Sequence, residues 1–129
     1  MRILAPEFIL FVADQERSAL FYATVLGRQP VLDVPGMTEF DLGQGAKLGL
    51  MPETGIARII GARLPHPAQG NGLPRCELYL LVEDLDLAVA QCECAGATPV
   101  DAASDRDWGH RVAYFADPDG HVLALAKER

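Results

Sequence analysis

Two glutamates hold matching positions in this chain. Glu7 opens EFILFV and Glu77 opens ELYLLV, 70 residues apart (77 − 7). Carboxylates facing each other across a cavity bind an ammonium or guanidinium group, or share a proton and act as acid and base. The competing reading makes each a solvated strand start, or pairs it with Lys47 or Arg111. Trp108, in Asp107-Trp108-Gly109, is placed either to stack on a flat ligand or to plug the end of a hairpin. The three histidines show no metal-site spacing. His66 lies in a proline-rich stretch, His121 beside a tight turn and His110 at a strand start, and surface or hairpin roles are expected for all three. Cys92 and Cys94 lie two apart in a predicted helix and point to nearly opposite sides, so they cannot easily share a metal. With Cys76 they form an odd, sparse set, read as reduced cytosolic thiols. Phosphate loops, nucleophile elbows and CxxC pairs are absent.

The elements that must position these residues come in two similar units. Glu7–Val31 and Glu77–Val100 follow one plan, and Val12/Val82 and Asp14/Asp84 share the offset of 70. After the helix the offset is 69, pairing Gly27 with Gly96 and Pro30 with Pro99. Asp14 and Asp84 are N-cap residues by type, since their carboxylates accept bonds from free backbone N–H groups. Phe21, Tyr22, Val25 and Leu26 make the apolar stripe of a first helix ending at Gly27. Leu85, Ala88, Val89 and Cys92 do the same for a second, at about 85–95, ending at Gly96. Strands are expected at 7–13, 30–34, 37–42 and 46–51, then from 77 and at 98–102, 110–116 and 121–127. The expected fold is α+β, with two paired β-α-β-β-β units forming a curved mixed sheet around a cup. It is read as a single domain, 1–129, made of units 1–54 and 75–129 joined by a linker at 55–74. The stretch 52–74, broken by prolines and glycines, suits a linker or a functional lid, with one or two helical turns open at 57–62.

A net charge of −7 argues against binding a nucleic-acid backbone and is compatible with a cationic ligand. No stretch approaches the length of a membrane span, and Pro6 and Glu7 interrupt the apolar N-terminal run that would imitate a signal peptide. A cytoplasmic protein is expected, with no nucleic-acid or membrane partner.

Side-chain alternation divides each sheet into two faces. Phe8, Leu10, Val12, Leu48, Leu50, Leu78, Leu80, Val82, Leu123 and Leu125 are expected under the helices. The opposite parity, facing the cup, carries Glu7, Ile9, Phe11, Lys47, Gly49, Met51, Glu77, Tyr79, Leu81, Val122, Ala124 and Ala126. A four-residue turn at 117–120 would add Arg111, Ala113 and Phe115 to that face, and the repeat would add Thr38 and Phe40.

VADQERSALFYATVLG (12–27) and DWGHRVAYFADPDGHVLALA (107–126) resemble the strand–helix entry and the C-terminal hairpin of the vicinal oxygen chelate superfamily. That superfamily includes glyoxalase I, extradiol dioxygenases, fosfomycin-resistance enzymes and bleomycin-resistance proteins. The resemblance implies a paired β-α-β-β-β fold, a homodimer and a cup-shaped small-molecule site. Metal-dependent members place four ligands in the cup, and the matching positions here are Glu7, Gly49, Glu77 and Ala124. Gly49 and Ala124 have no donor side chain, so no catalytic metal or other cofactor is expected; a divalent ion such as Mg²⁺, held loosely by Glu7 and Glu77, is the alternative. The expected function is binding of an aromatic or cationic small molecule by Glu7, Ile9, Phe11, Phe40, Lys47, Glu77, Tyr79, Trp108, Arg111 and Phe115. The alternatives are a lactoylglutathione-lyase-like or other superfamily enzyme using Glu-held metal or carboxylate acid/base chemistry, with Glu7 and Glu77 as catalytic candidates, and an inert structural dimer.

Overall fold

Each half of the chain builds a four-stranded mixed sheet. The computed structural model describes residues 1–129. In chain order the elements are β1 (Glu7–Val12), α1 (Gln15–Leu26), β2 (Leu32–Val34), β3 (Met37–Gly43), β4 (Ala46–Pro52), α2 (Glu53–Ile60), β5 (Glu77–Leu81), α3 (Leu85–Cys94), β6 (Thr98–Asp105), β7 (His110–Ala116) and β8 (Val122–Glu128). The sheets run β1-β4-β3-β2 and β5-β8-β7-β6, with β1/β4 and β5/β8 parallel and the remaining pairs antiparallel. This is the expected α+β pattern, written twice.

Both expected caps form. Asp14 Oδ1 accepts from the Arg17 N–H and Asp84 Oδ1 from the Leu87 N–H, each at 3.0 Å. The stretch read as a linker is more ordered than its prolines suggest. It opens with α2, which packs on β4 and β1, and short 3-10 turns follow at Gly61–Arg63 and Pro67–Gly70. In the second turn His66 Nδ1 accepts from the Ala68 N–H at 3.1 Å.

The chain divides into two compact units: Met1–Ala19 with Arg28–Asn71, and Leu20–Gly27 with Gly72–Arg129. The C-terminal half of α1 is therefore grouped with the second repeat. In the first unit Leu10, Val12, Thr38, Phe40, Leu48 and Leu50 are buried on one sheet face. Thr38 Oγ1 donates to Asp33 Oδ1 at 2.9 Å and accepts from Gln15 Nε2 at 2.9 Å, so this buried hydroxyl is satisfied. Phe8 shares that parity yet is 68% exposed, near the start of the outer strand β1. In the second unit Phe115, Leu123 and Leu125 of the sheet are buried, as are Leu85, Ala88 and Cys92 of α3 and Phe21, Tyr22 and Val25 of α1.

Both hairpin registers differ from expectation by one residue. Gly43 and Ala46 close a two-residue turn whose central Gln44 and Gly45 both have positive φ. A bulge between Asp41 and Gly43, braced by the Gly43 N–H donating to Asp41 Oδ1 at 2.8 Å, then shifts the pairing. Phe40 thus pairs with Leu48 and Thr38 with Leu50. In the second unit Ala116 pairs with Val122, so the connection is 117–121 and not 117–120. Phe115 pairs with Leu123, Ala113 with Leu125 and Arg111 with Lys127. Thr38, Phe40, Arg111, Ala113 and Phe115 therefore share the faces of Leu48 and Leu123, not those of Glu7 and Tyr79. A one-residue slip reverses every side chain of a strand.

Asp117 holds the second turn. Only 4% exposed, its Oδ2 accepts from Tyr22 Oη at 2.7 Å and lies 2.8 Å from His121 Nδ1. Its Oδ1 accepts from the backbone N–H groups of Asp119 and His121 at 2.9 and 2.8 Å. Gly120, at φ +88°, completes the turn, where an added Cβ would lie 2.8 Å from the Gly72 carbonyl oxygen. Burial alone would raise the Asp117 pKa, but the bonds from His121 and Tyr22 outweigh it and hold the carboxyl below its usual value.

Removing one of these donors exposes the cost of that burial. Tyr22→Phe is expected to lower stability by about 1–3 kcal/mol in urea unfolding at neutral pH. The depressed pKa means the Asp117 contribution is fully present above the unfolded aspartate value and is lost as pH falls through the native one. The stability deficit of Asp117→Asn relative to wild type should therefore narrow in acid.

Candidate functional site

The first unit brings together two carboxyl groups, only one of which stands out in the sequence. Glu7 begins β1 and pairs with Lys47 of β4; Ile9 pairs with Gly49, and Gly49 with Glu39 of β3. These residues share the sheet face opposite the core. With no side chain at Gly49, the Glu7 carboxyl lies in the vacant space above β4, on the face it shares with Glu39 of β3. A Cβ added at Gly49 would stand 2.7 Å from Glu7 Oε1 and 3.0 Å from Ile9 Cγ1. Lys47 Nζ is 3.6 Å from Glu39 Oε1.

The Glu39 hydrogen bond, then burial, then the Glu39 charge raise the Glu7 pKa; Lys47 opposes them without prevailing. Glu39, Asp41 and Lys47 also line an open depression of about 550 Å³ with Val31, Leu32, Gln44 and Gly45. Glu39, one member of the carboxyl pair, thus borders a space large enough for a small organic molecule.

In the second unit the matching face is built from aromatic groups. Ala124 pairs with Tyr79 on β5 and with Tyr114 on β7. Ala124, Val112 and Ala126 are fully buried, with Tyr79 and Tyr114 packed against them. Tyr79 Oη lies 2.7 Å from His110 Nδ1 and accepts from Trp108 Nε1 at 3.1 Å. The Arg106 guanidinium stands over the Tyr114 ring, 5.1 Å from its centre, and bonds Asp101 at 2.6 Å.

The residues singled out from sequence fall into three groups. Glu7, Ile9, Phe11 and Lys47 lie on the non-core face of the first unit, with Ile9 41% and Phe11 37% exposed. Tyr79 and Trp108 are joined by a hydrogen bond in the second, where Glu77 is exposed at the start of β5. Phe40 and Phe115 are buried core residues, and Arg111 is tied to Asp105 at 3.0 Å, all moved by the register shifts. Sequence reading missed Glu39 and the Tyr79–His110 contact. An Asp41 side chain able to brace a bulge was the signal for the first, because the bulge sets Glu39 opposite Gly49.

The four positions that hold metal in metal-dependent relatives do not fit such a centre. Gly49 has no side-chain donor, and Ala124 offers only a buried methyl group. None of the three histidines, His66, His110 and His121, stands at one of these four positions. Asp117, Asp119 and His121 are near enough to share an ion, but Asp117 already has three polar contacts within its own turn and a fourth from Tyr22 on α1. Burial pushes the Cys92 thiol up to about 11, so it is a core residue and not a nucleophile.

Comparison with known proteins gives a consistent result. The family model for the glyoxalase-like domain matches residues 7–126. The uncharacterized protein YraH of Bacillus subtilis (strain 168) is 30% identical over 122 residues, covering 92% of this chain and 93% of that protein. A glyoxalase-related enzyme from Fulvimarina pelagi superposes with a TM-score of 0.81 at 23% identity, over 99% of this chain and 89% of that one. A glyoxalase/bleomycin resistance protein/dioxygenase from Nocardioides gives 0.73 at 24% identity, over 99% and 85%.

Gly49→Ala tests the carboxyl pair directly. The new methyl group should push Glu7 off Glu39, so the Glu7 pKa should fall back towards the ordinary glutamate range. A carboxyl-carbon NMR titration of both proteins reads this. In the wild type, the stabilisation from protonated Glu7 is complete below the unfolded value and is lost as pH rises through the raised native one.

Proposed function

The chain belongs to the glyoxalase-like family of the vicinal oxygen chelate superfamily, and from that premise we propose that it binds a small organic cation without a catalytic metal. The Glu7 carboxyl lying over Gly49 against Glu39 carries this reading. The neighbouring Glu39 carboxyl and burial raise the Glu7 pKa while no cation is bound. An ammonium or guanidinium group favours the ionised form of Glu7 and meets two carboxylates. Asp41 adds a third negative charge beside the depression, and Val31 and Leu32 supply apolar wall for the rest of the ligand. Cation uptake therefore releases a proton near the Glu7 pKa.

A second reading is favoured by the same pair. Glu7 and Glu39 are hard oxygen donors on neighbouring parts of one sheet face, a set that Mg²⁺ accepts when it retains several waters. On this reading the chain is a superfamily enzyme, lactoylglutathione-lyase-like or related, working from Glu-held metal or from carboxylate acid/base chemistry with Glu7 as the proton-holding group. Glu77 stays a candidate in either case, as an exposed carboxylate at the repeated position.

The proposal extends to a cytoplasmic homodimer. The support is an outer strand β1 exposing Phe8, Ile9 and Phe11, and three cysteines that are all free. No helix is long and apolar enough to cross a membrane.

Calorimetry with a panel of small aryl-alkyl amines, in two buffers of different ionisation enthalpy, separates the readings. The expected result is amine binding with net proton release, weakened at least about tenfold in Glu7→Gln, the loss of roughly one charge-assisted contact. Mg²⁺ binding that Glu7→Gln abolishes, with no amine response, favours the second reading. For the dimer, light scattering should give twice the 13.9 kDa chain mass, and Phe8→Glu/Phe11→Glu should return it to monomer.

A further inference from the structure

One dipeptide in the 55–74 stretch carries chemistry of its own. Asn71 is the single asparagine of the chain, and Gly72 follows it. Both are exposed and both have positive φ, +47° for Asn71 and +77° for Gly72. A carboxamide at such a position is open to attack by the next backbone nitrogen, because glycine has no Cβ to shield it. Asn71 caps the Pro67–Gly70 turn with ψ at +49°. At that angle the Gly72 nitrogen lies nearly anti to the Asn71 Cβ about the Cα–C bond, out of reach of the carboxamide carbon.

Three hydrogen bonds hold this geometry. The Ala68 N–H donates to His66 Nδ1 at 3.1 Å, the Gln69 N–H to the His66 carbonyl at 2.9 Å and the Asn71 N–H to the Ala68 carbonyl at 3.2 Å. Packing adds a further constraint. A Cβ added at Gly120 would stand 2.8 Å from the Gly72 oxygen and 3.0 Å from its Cα, so Gly72 is seated on the β7–β8 turn. Swinging the Gly72 nitrogen towards the Asn71 side chain requires the Pro67–Gly70 turn to open and Gly72 to leave Gly120. That turn contains no buried residue, so its opening is a local event, separate from unfolding of either sheet.

We propose that Asn71–Gly72 is a self-modification site, silent while the turn is closed and reactive when it opens. In the open form the Gly72 nitrogen attacks Asn71 Cγ. A nitrogen–carbon bond forms, the Cγ–NH₂ bond breaks, and the Gly72 amide proton leaves with the amine as ammonia, giving a cyclic succinimide. Water then adds at either carbonyl and breaks one ring carbon–nitrogen bond, leaving aspartate or isoaspartate at 71. Water is the only co-reactant. Both products add a negative charge to a chain already at −7. Isoaspartate also inserts a methylene group into the backbone, which removes the geometry that seats Gly72 on Gly120. The modified chain keeps a covalent record of opening, written beside the turn that sets the β7/β8 register.

Peptide mass spectrometry reads the exchange of NH for O at residue 71, in folded protein and in protein held in concentrated guanidinium chloride at the same mildly alkaline pH. The folded chain should convert at least about tenfold more slowly, because three hydrogen bonds must open together first. Its rate should stay flat at low denaturant, to which a local opening is insensitive and global unfolding is not. His66→Ala removes one bond and should speed the folded chain about two- to tenfold, with the unfolded rate unchanged. Asn71→Gly keeps a residue suited to the left-handed cap and should abolish the signal. In aged wild-type protein, the isoaspartate fraction should show faster hydrogen exchange at Gly120 and His121 than the aspartate fraction. Equal rates in folded and unfolded chains, no conversion in the unfolded chain, or a native rate that climbs with denaturant as global unfolding does would overturn the proposal. Each of these is read on the wild-type chain, so the test stands even if a variant fails to fold.

Discussion

One extra residue in each β-hairpin determines what every other side chain of the two sheets can do. In the first unit it is the bulge at Asp41–Gly43, and in the second it is the 117–121 connection organised by Asp117. Strand side chains alternate with a period of two, so a single inserted residue exchanges core and non-core faces along a whole strand. Because of it Phe40 and Phe115 fill the cores, and Glu39, His110, Val112 and Tyr114 take the opposite faces. The turn at Asp117 is held by a buried carboxylate with four polar contacts, one of them from Tyr22 on a distant helix. Register in the second unit therefore depends on a charge that burial disfavours and hydrogen bonds restore.

The two units use the same topological position in different ways. Gly49 and Ala124 both follow a core leucine on the last strand of their units, and each lies beside the strand that opens its own. At Gly49 the lack of a side chain admits the Glu7 carboxyl, which crosses the strand to Glu39. At Ala124 the methyl group is closed over by packing with Tyr79 and Tyr114. One position becomes a place for charge and the other a base for aromatic rings. Neither leaves the side-chain donor that a superfamily metal centre takes from there.

Much of the fold was legible because its signals are local. The offsets of 70 and 69, the caps Asp14 and Asp84 and the stops Gly27 and Gly96 locate strands and helices without any long-range information. The family resemblance and the repeat agree on element order, which the structure follows. Face assignment was legible only for β1, β4, β5 and β8, whose alternation of side chains could be read without counting turn residues. It failed for β3 and β7, because their parity depends on the number of residues in a turn or bulge. Asp41 and Asp117 decide those numbers through side-chain bonds to backbone N–H groups, and neither bond is visible in hydrophobic patterning. Glu39 was overlooked for the same reason, as an ordinary polar residue in a strand until the bulge sets it opposite Gly49. α2 was obscured by the glycines and prolines around it, since packing against β4 and β1 outweighs weak local propensity.

The acidic surface bears on the carboxyl pair as well. A chain of net charge −7 gathers Glu7, Glu39 and Asp41 on one face with Lys47 as the cation beside Glu39. Repulsion there is relieved in one of three ways: sharing a proton, recruiting a cation, or turning a side chain away into water. Gly49 weighs against the third, because the space above it accepts the Glu7 carboxyl while Ile9 and Met37 border it. Proton sharing and cation uptake then compete for the same oxygens. A site built this way responds to pH and to ligand charge together, using only carboxylates whose separation is set by neighbouring strands.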